Sequence, residues 1–317
     1  MTSTPYPLVS IVGPTATGKS ELGIYLARRF SGQIINCDSM QVYRGLNVGT
    51  AKVPPAQRQV PHHLLDVADI HEYFSAGRFA DLARQVMAGV RAAGDLPILV
   101  GGTGFYLRAL LYGIFPGPGR QTELRQRFDR IRERRGLAVL HRILAGIDPQ
   151  SAERISPRDY PRIARALEVY YATGIPMSRQ FGRDETALTG FVTRMYCLHL
   201  PRPFLYDRIN RRVEQMLARG WEDEVRGILA AGHPADAKGL EAIGYREIIA
   251  CLTGTLTAAE AVERIQQKTR QFAKRQLTWF RKEKNLVWLE GAGDDPSIQT
   301  QVGEDVRTFL TATGFLS

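Results

Sequence analysis

Cysteine is scarce in this sequence. Cys37, Cys197 and Cys251 are the only 3 in 317 residues, and they stand in neither a Cys-x-x-Cys nor a zinc-ligand spacing. That excludes a disulfide framework and a thiolate metal centre, and a reducing, cytoplasmic setting is expected. The 6 histidines include no His-x-x-x-His pair in a helical pattern, so no zinc held by the protein is expected. No apolar run approaches the roughly 18 to 20 residues that span a bilayer. Met1 to Pro7 has neither a basic start nor an apolar stretch of the signal-peptide kind. Neither a membrane association nor secretion is therefore expected. Internal repeats and low-complexity tracts are also missing. What is present is ordinary globular composition, 44% hydrophobic and 23% charged, in a chain long enough for two domains.

Lysine is absent from residues 120–183, which carry 14 arginines against 7 acids, a net of +7. Residues 264–284 carry 8 Lys or Arg against the single acid Glu283, again +7, so a chain of net +10 is mildly acidic elsewhere. Two basic segments on an acidic body fit a polyanionic partner. Two solvated helix faces fit the charge alone at least as well.

Leu8–Val12 is a short apolar run before a glycine-rich turn, followed by a helical pattern over Lys19–Phe30. Gln33–Asn36 and Leu96–Val100 read as further strands, with Ser75 capping a helix that runs to about Ala93. Strands alternating with helices predict an α/β fold with a parallel sheet core and helices on both faces. Gly117, Pro118 and Gly119 break that rhythm, and a wholly helical, Arg-rich pattern continues to about Gly182. A strand returns at Val192–Leu200, helices at 204–218 and 258–283, and a last strand at Leu286–Leu289. The expected organisation is a core of residues 1–115 and 191–317 with an inserted all-helical domain, residues 116–190.

Gly13-Pro14-Thr15-Ala16-Thr17-Gly18-Lys19-Ser20 matches the phosphate-loop pattern between a strand and a helix. Its glycines let backbone N–H groups converge on phosphate oxygens, Lys19 adds a point charge, and the Ser20 hydroxyl can ligate a phosphate-bound Mg²⁺. The loop specifies a diphosphate or triphosphate without specifying ATP. Asp38 follows the second strand and should line the ligand crevice. It can take a proton from a nucleophile, cap the next turn, or stand in the outer sphere of Mg²⁺. Leu96–Val100 ends in Gly101-Gly102-Thr103-Gly104, with no acid of the kind many ATPases carry there. Thr103 can hydrogen-bond a phosphate oxygen or simply cap the turn.

Further segments complete a pattern: Asp38-Ser39-Met40-Gln41-Val42-Tyr43, Gly49-Thr50-Ala51-Lys52, Pro61-His62-His63-Leu64, and Ile98 through Leu107. Arg165-Ala166-Leu167-Glu168-Val169, Ala242-Ile243-Gly244-Tyr245-Arg246-Glu247, and Thr269 through Arg281 follow. Together with the phosphate loop, this order resembles the tRNA dimethylallyltransferase (isopentenyltransferase) family over residues 11–281. The resemblance implies dimethylallyl diphosphate and the adenosine at tRNA position 37 as substrates and Mg²⁺ as cofactor; a monomer is expected, although the sequence itself does not fix the oligomeric state. It implies Asp38 as general base and Thr103 and Arg212 beside the diphosphate, with Gly13 through Ser20 cradling it. Against tRNA it places Asp38, Ser39, Met40 and Gln41; Arg125; Pro161, Arg162, Ile163, Ala164 and Arg165; and Glu241, Ala242, Ile243, Gly244, Tyr245 and Arg246. Lys268, Thr269, Arg270, Gln271, Phe272, Ala273, Lys274 and Arg275 complete that set. The family often has Asn and Gln before Arg where this chain has Arg158-Asp159-Tyr160-Pro161-Arg162, so the contact at Pro161 lacks both an amide side chain and an N–H.

Along the last long helix, Val262, Ile265, Phe272 and Trp279 recur at core spacing, while Lys268, Arg275 and Lys282 repeat every seven residues on another face. A small-molecule kinase explains residues 13–43 equally well but gives the basic segments no task. An RNA-binding protein switched by a nucleotide would leave Asp38 and Thr103 without one.

Overall fold

Six consecutive buried residues, Pro7–Val12, identify β1 (Tyr6–Val12) as a strand covered on both faces. The computed structural model describes residues 5–115, 117–180 and 187–316. After β1 come α1 (Lys19–Arg29), β2 (Gly32–Asn36), β3 (His62–His63), α2 (Ala76–Ala92), β4 (Leu96–Val100) and α3 (Gly104–Leu111). The Ser75 side chain accepts the Arg78 N–H at 3.1 Å and so caps α2 as expected. The sheet resumes with β5 (Phe191–His199) and closes with β6 (Leu286–Glu290). All its pairings are parallel, in the order β3-β2-β4-β1-β5-β6.

Because strand side chains alternate, one sheet face presents Val9, Ile11, Ile34, Ile98, Val100, Tyr196 and Leu198 to Leu22 and Leu26 of α1. Ile298, Val302, Val306 and Leu310 of a C-terminal helix (Pro296–Ala312) join this layer, whereas α2, outside it, packs against β2 and β4 and carries α3 against its own side. That C-terminal helix and the two-residue β3 are not among the expected elements.

The chain divides into two compact units, Met1–Leu111 with Leu188–Ser317, and Tyr112–Ala187. The second unit holds α4 (Thr122–Arg135), α5 (Leu137–Ile147), α6 (Pro149–Arg154) and α7 (Tyr160–Thr173). They close around Phe128, Leu140, Leu144, Ile155, Ile163 and Leu167. The expected end of this helical stretch at Gly182 lies outside the described residues. The first unit continues after β5 with α8 (Arg202–Ala218), α9 (Trp221–Ala230), α10 (Tyr245–Leu252) and α11 (Ala258–Phe280), and ends in the C-terminal helix, α12. Among the described residues no helix is long and apolar enough to cross a membrane.

Candidate active site

The phosphate loop leaves the carboxyl end of β1, flanked by the ends of β4 and β5, where an open parallel sheet collects its ligands. Gly13 is obligatory: its φ is +136°, and a Cβ there would stand 2.5 Å from the Leu198 carbonyl oxygen. Gly18, with φ +79°, opens α1 and would carry a Cβ 2.7 Å from the Gly293 nitrogen. Ala16 lacks that freedom yet takes φ +64°, a strained backbone that needs support from outside. Three such supports are present. The Gln276 Oε1 of α11 accepts the Thr15 N–H at 2.9 Å, the Arg208 Nε of α8 donates to the Ala16 carbonyl at 2.9 Å, and the Gly293 N–H donates to the Thr17 carbonyl at 2.8 Å. Arg208 is held in turn by both oxygens of Asp294, at 2.8 and 3.0 Å.

This loop forms one wall of a cavity of about 490 Å³, shared with Asp38, Gln41, Arg208, Arg211, Arg212 and Gln276. Ile34, Val53, Pro54 and Leu65 supply an apolar part of the lining. Lys19 folds back to donate to the Pro14 carbonyl at 2.6 Å. Burial, then the Arg212 charge, pull its ammonium down to about 8, with Asp38 and Glu21 opposing. Burial also lowers the Arg212 guanidinium, against the attraction of Glu21 and Asp38. Two partly desolvated cations facing one space, in mutual repulsion, form a site prepared for an anion.

Asp38 takes up the turn-capping role offered by its position: its Oδ1 accepts the Met40 N–H at 2.9 Å, and its own N–H donates to Asn36 Oδ1 at 3.1 Å. These bonds also orient the carboxylate on the cavity wall, so the cap and a proton acceptor are compatible. Thr103 stands behind that wall. Its Oγ accepts the Ser39 N–H at 3.0 Å and donates to Ser39 Oγ at 3.3 Å, tying the turn after β4 to the Asp38 loop.

The residues expected against tRNA separate into two groups. Arg162, Glu241, Arg246, Lys268, Gln271, Lys274 and Arg275 are exposed, as is Pro161, in the first turn of α7 where a missing N–H costs nothing. Ile163, Ala164, Ala242, Tyr245 and Ala273 are buried packing residues, and the Tyr245 hydroxyl donates to Glu224 at 2.7 Å. Their side chains belong to the packing of their own units. Arg125 and Arg165 are half-buried and already engaged within the helical unit. Arg125 grips the fully buried Glu168 through bonds of 2.9 and 3.0 Å, and Arg165 donates to it at 2.7 Å. Their charge serves the fold of the helical unit, because an unpaired carboxylate there would be prohibitively costly. Lys268 is paired with Glu247, Arg270 donates to Asn210 at 2.8 Å, the Thr269 hydroxyl donates to Ile265, and Gly244 N–H donates to Glu247 at 2.9 Å. Ile243 and Met40 are half-buried, and Phe272 lines the cavity.

Gln276, Arg208, Asp294 and Glu168 were not singled out as site or support residues in the sequence. Only Gln276 had a signal, a polar side chain at a core-facing position of an otherwise amphipathic helix.

A phosphate loop, a pair of facing cations and an oriented carboxylate define a phosphate-loop enzyme of group transfer rather than a metal-caged or disulfide-built binder. A family model described as IPP transferase matches residues 41–283, and one described as isopentenyl transferase matches residues 7–72. The tRNA dimethylallyltransferase of Solibacter usitatus is 47% identical over 305 residues, covering 96% of this chain and 99% of its own. The solved tRNA isopentenylpyrophosphate transferase of Bacillus halodurans is 38% identical with a TM-score of 0.71, covering 97% of this chain and 98% of its own. A eukaryotic dimethylallyltransferase caught acting on tRNA is 29% identical with a TM-score of 0.78, covering 98% of this chain and 79% of its own. The chain belongs to the tRNA dimethylallyltransferase (isopentenyltransferase) family.

Proposed function

We propose that this enzyme transfers the dimethylallyl group of dimethylallyl diphosphate to the N6 amine of the adenosine at tRNA position 37, beside the anticodon. The observation that carries the reading is the meeting of Lys19, Arg212 and Asp38 on one cavity, close enough for the charge of Asp38 to act on both cations. The diphosphate sits against the loop N–H groups, Lys19 and Arg212. The bond between its bridging oxygen and the allylic carbon breaks with the electron pair leaving on diphosphate, where these cations stabilise the charge. The adenine leaves its stack to reach the carbon, as bases do in enzymes that act on them. The N6 lone pair forms the new C–N bond, and the N6 proton passes to the Asp38 carboxylate.

The donor set fits a cation that arrives with the diphosphate. Mg²⁺ uses few protein oxygens besides phosphates and water, Ser20 faces the cavity, and no cluster of three or more His, Cys, Asp or Glu occurs among the described residues. When bound, Mg²⁺ would neutralise charge on the leaving diphosphate. The test is incubation with Mg²⁺, dimethylallyl diphosphate and unmodified tRNA, followed by nucleoside mass analysis. Dimethylallyladenosine formed without ATP is the expected product; ATP consumption with no modified nucleoside would favour the kinase reading.

A further inference from the structure

The three supports of the phosphate loop differ in what they join. Gly293 is a backbone contact, and Arg208 is anchored by Asp294. Gln276 alone spans both turns at the head of the sheet: its Oε1 accepts from Thr15 in the loop after β1, and its Nε2 donates to the Gly102 carbonyl after β4 at 2.9 Å. An N–H can only donate and a carbonyl can only accept, so this pair admits one orientation of the amide. The residue is only 6% exposed. Its reach crosses 261 residues of sequence to Thr15 and 174 to Gly102.

We propose that Gln276 is a positioning residue for the transfer reaction, holding the strained phosphate loop in register with the Thr103 turn so that the diphosphate meets a preformed cradle. The inference rests on the reading of this cavity as a diphosphate site. Two adjoining features require the clasp. Ala16, next to the clasped Thr15, keeps a positive φ without a glycine, so an unclasped loop can relax and redirect its N–H groups. Gly102 sits next to Thr103, whose hydroxyl holds Ser39 and through it the loop of the general base Asp38. Gln276 therefore sets the spacing between leaving-group cradle and proton acceptor while lying beside the ligand space rather than in the reaction. A glutamate in its place keeps the acceptor for Thr15 but faces Gly102 with a second acceptor; a methionine keeps the length and loses both bonds.

The experiment measures binding of inorganic diphosphate with Mg²⁺ by calorimetry, and steady-state transfer to tRNA, for wild type, Gln276→Met and Gln276→Glu. Binding by the wild-type protein tests the diphosphate reading itself; failure there sinks that reading before any variant is compared. The inference predicts diphosphate affinity down about 5- to 20-fold in Gln276→Met and further in Gln276→Glu, consistent with losing one or two buried hydrogen bonds. It also predicts a kcat loss at saturating donor, with tRNA affinity within about twofold of wild type. A residue that merely fills the core would lower melting temperature and leave both diphosphate affinity and kcat of the folded fraction unchanged, which overturns the proposal. Hydrogen exchange on the wild-type protein covers the case of variants that do not fold. The Thr15 amide should be protected before any ligand is added, and exchange at the rate of an open loop refutes the clasp.

Discussion

Raising the pH should release the donor from this enzyme in a way that one side chain controls. Lys19 sits at about 8 in the free protein, because burial and the neighbouring Arg212 both disfavour its charge. Contact with a diphosphate restores the ammonium and lifts its pKa well above that value. The ligand thus binds the protonated form, and by linkage its affinity follows the protonated fraction of the free protein. Near-full affinity at pH 7 should fall to about half at pH 8 and about a tenth at pH 9. The phosphate groups themselves, with a second pKa near 6, contribute no further change in that window. Equilibrium dialysis of labelled dimethylallyl diphosphate from pH 6.5 to 9.5, at fixed free Mg²⁺, would trace this curve. Lys19→Arg replaces the titrating ammonium with a guanidinium and should bind with little pH dependence. Arg212→Gln removes the second cause of the depression and should move the midpoint upward, whatever it does to the absolute affinity. A flat profile in the wild type, or the same slope in Lys19→Arg, refutes the assignment of Lys19.

Asp38→Asn keeps the turn cap through its amide oxygen and removes basicity, so kcat should fall roughly 10² to 10⁴ with donor and tRNA affinities nearly intact; full activity would move the proton acceptor elsewhere. Neutralising Lys274 and Arg275, exposed on α11, should weaken tRNA binding and flatten its salt dependence by about 0.7 to 0.9 for each phosphate left without its cation; unchanged slopes in filter binding would make this a solvated face. Glu168→Gln should cost about 3 kcal/mol in urea unfolding of the helical unit, since it strips the partner from Arg125 and Arg165. Burial alone would raise the Glu168 pKa, but the hydrogen bonds from Arg125, Arg165 and the Gln121 backbone outweigh it and hold it below the ordinary value. Its stabilisation is complete above the unfolded value near 4.5 and is lost as pH falls through the lower folded one, so the variant should show less acid sensitivity there. Gly18→Ala should abolish diphosphate binding, because its Cβ meets backbone that cannot yield.

The phosphate loop, the strand boundaries and the capped α2 were legible because each is written in consecutive residues: an apolar run, a glycine pair, a Ser at an N-cap. β3 left no such trace, since two histidines pair with β2 only once the edge of the sheet exists to receive them. The basic residues are hard to sort for a related reason. An arginine reads the same in sequence whether it faces solvent, as Arg162 does, or turns inward to a carboxylate three positions along the helix, as Arg165 does. Net charge per segment counts both alike, and only the three-dimensional partner separates them. The clasp by Gln276 was hidden by distance along the chain, because nothing near position 276 mentions Thr15 or Gly102.

The two ends of the helical unit enter and leave the sheet unit at neighbouring points, the Leu188 N–H donating to the Leu111 carbonyl at 3.2 Å. A doorway this narrow makes the module topologically detachable. A turn of a few residues could bridge positions 111 and 188 without asking any strand to change its neighbours. Such a shortened chain should still fold its sheet and bind diphosphate. Lengthening, trimming or exchange of the helical unit between relatives would leave the strand order of the sheet and its phosphate loop untouched, so this stretch of chain is free to change at a pace the sheet cannot follow.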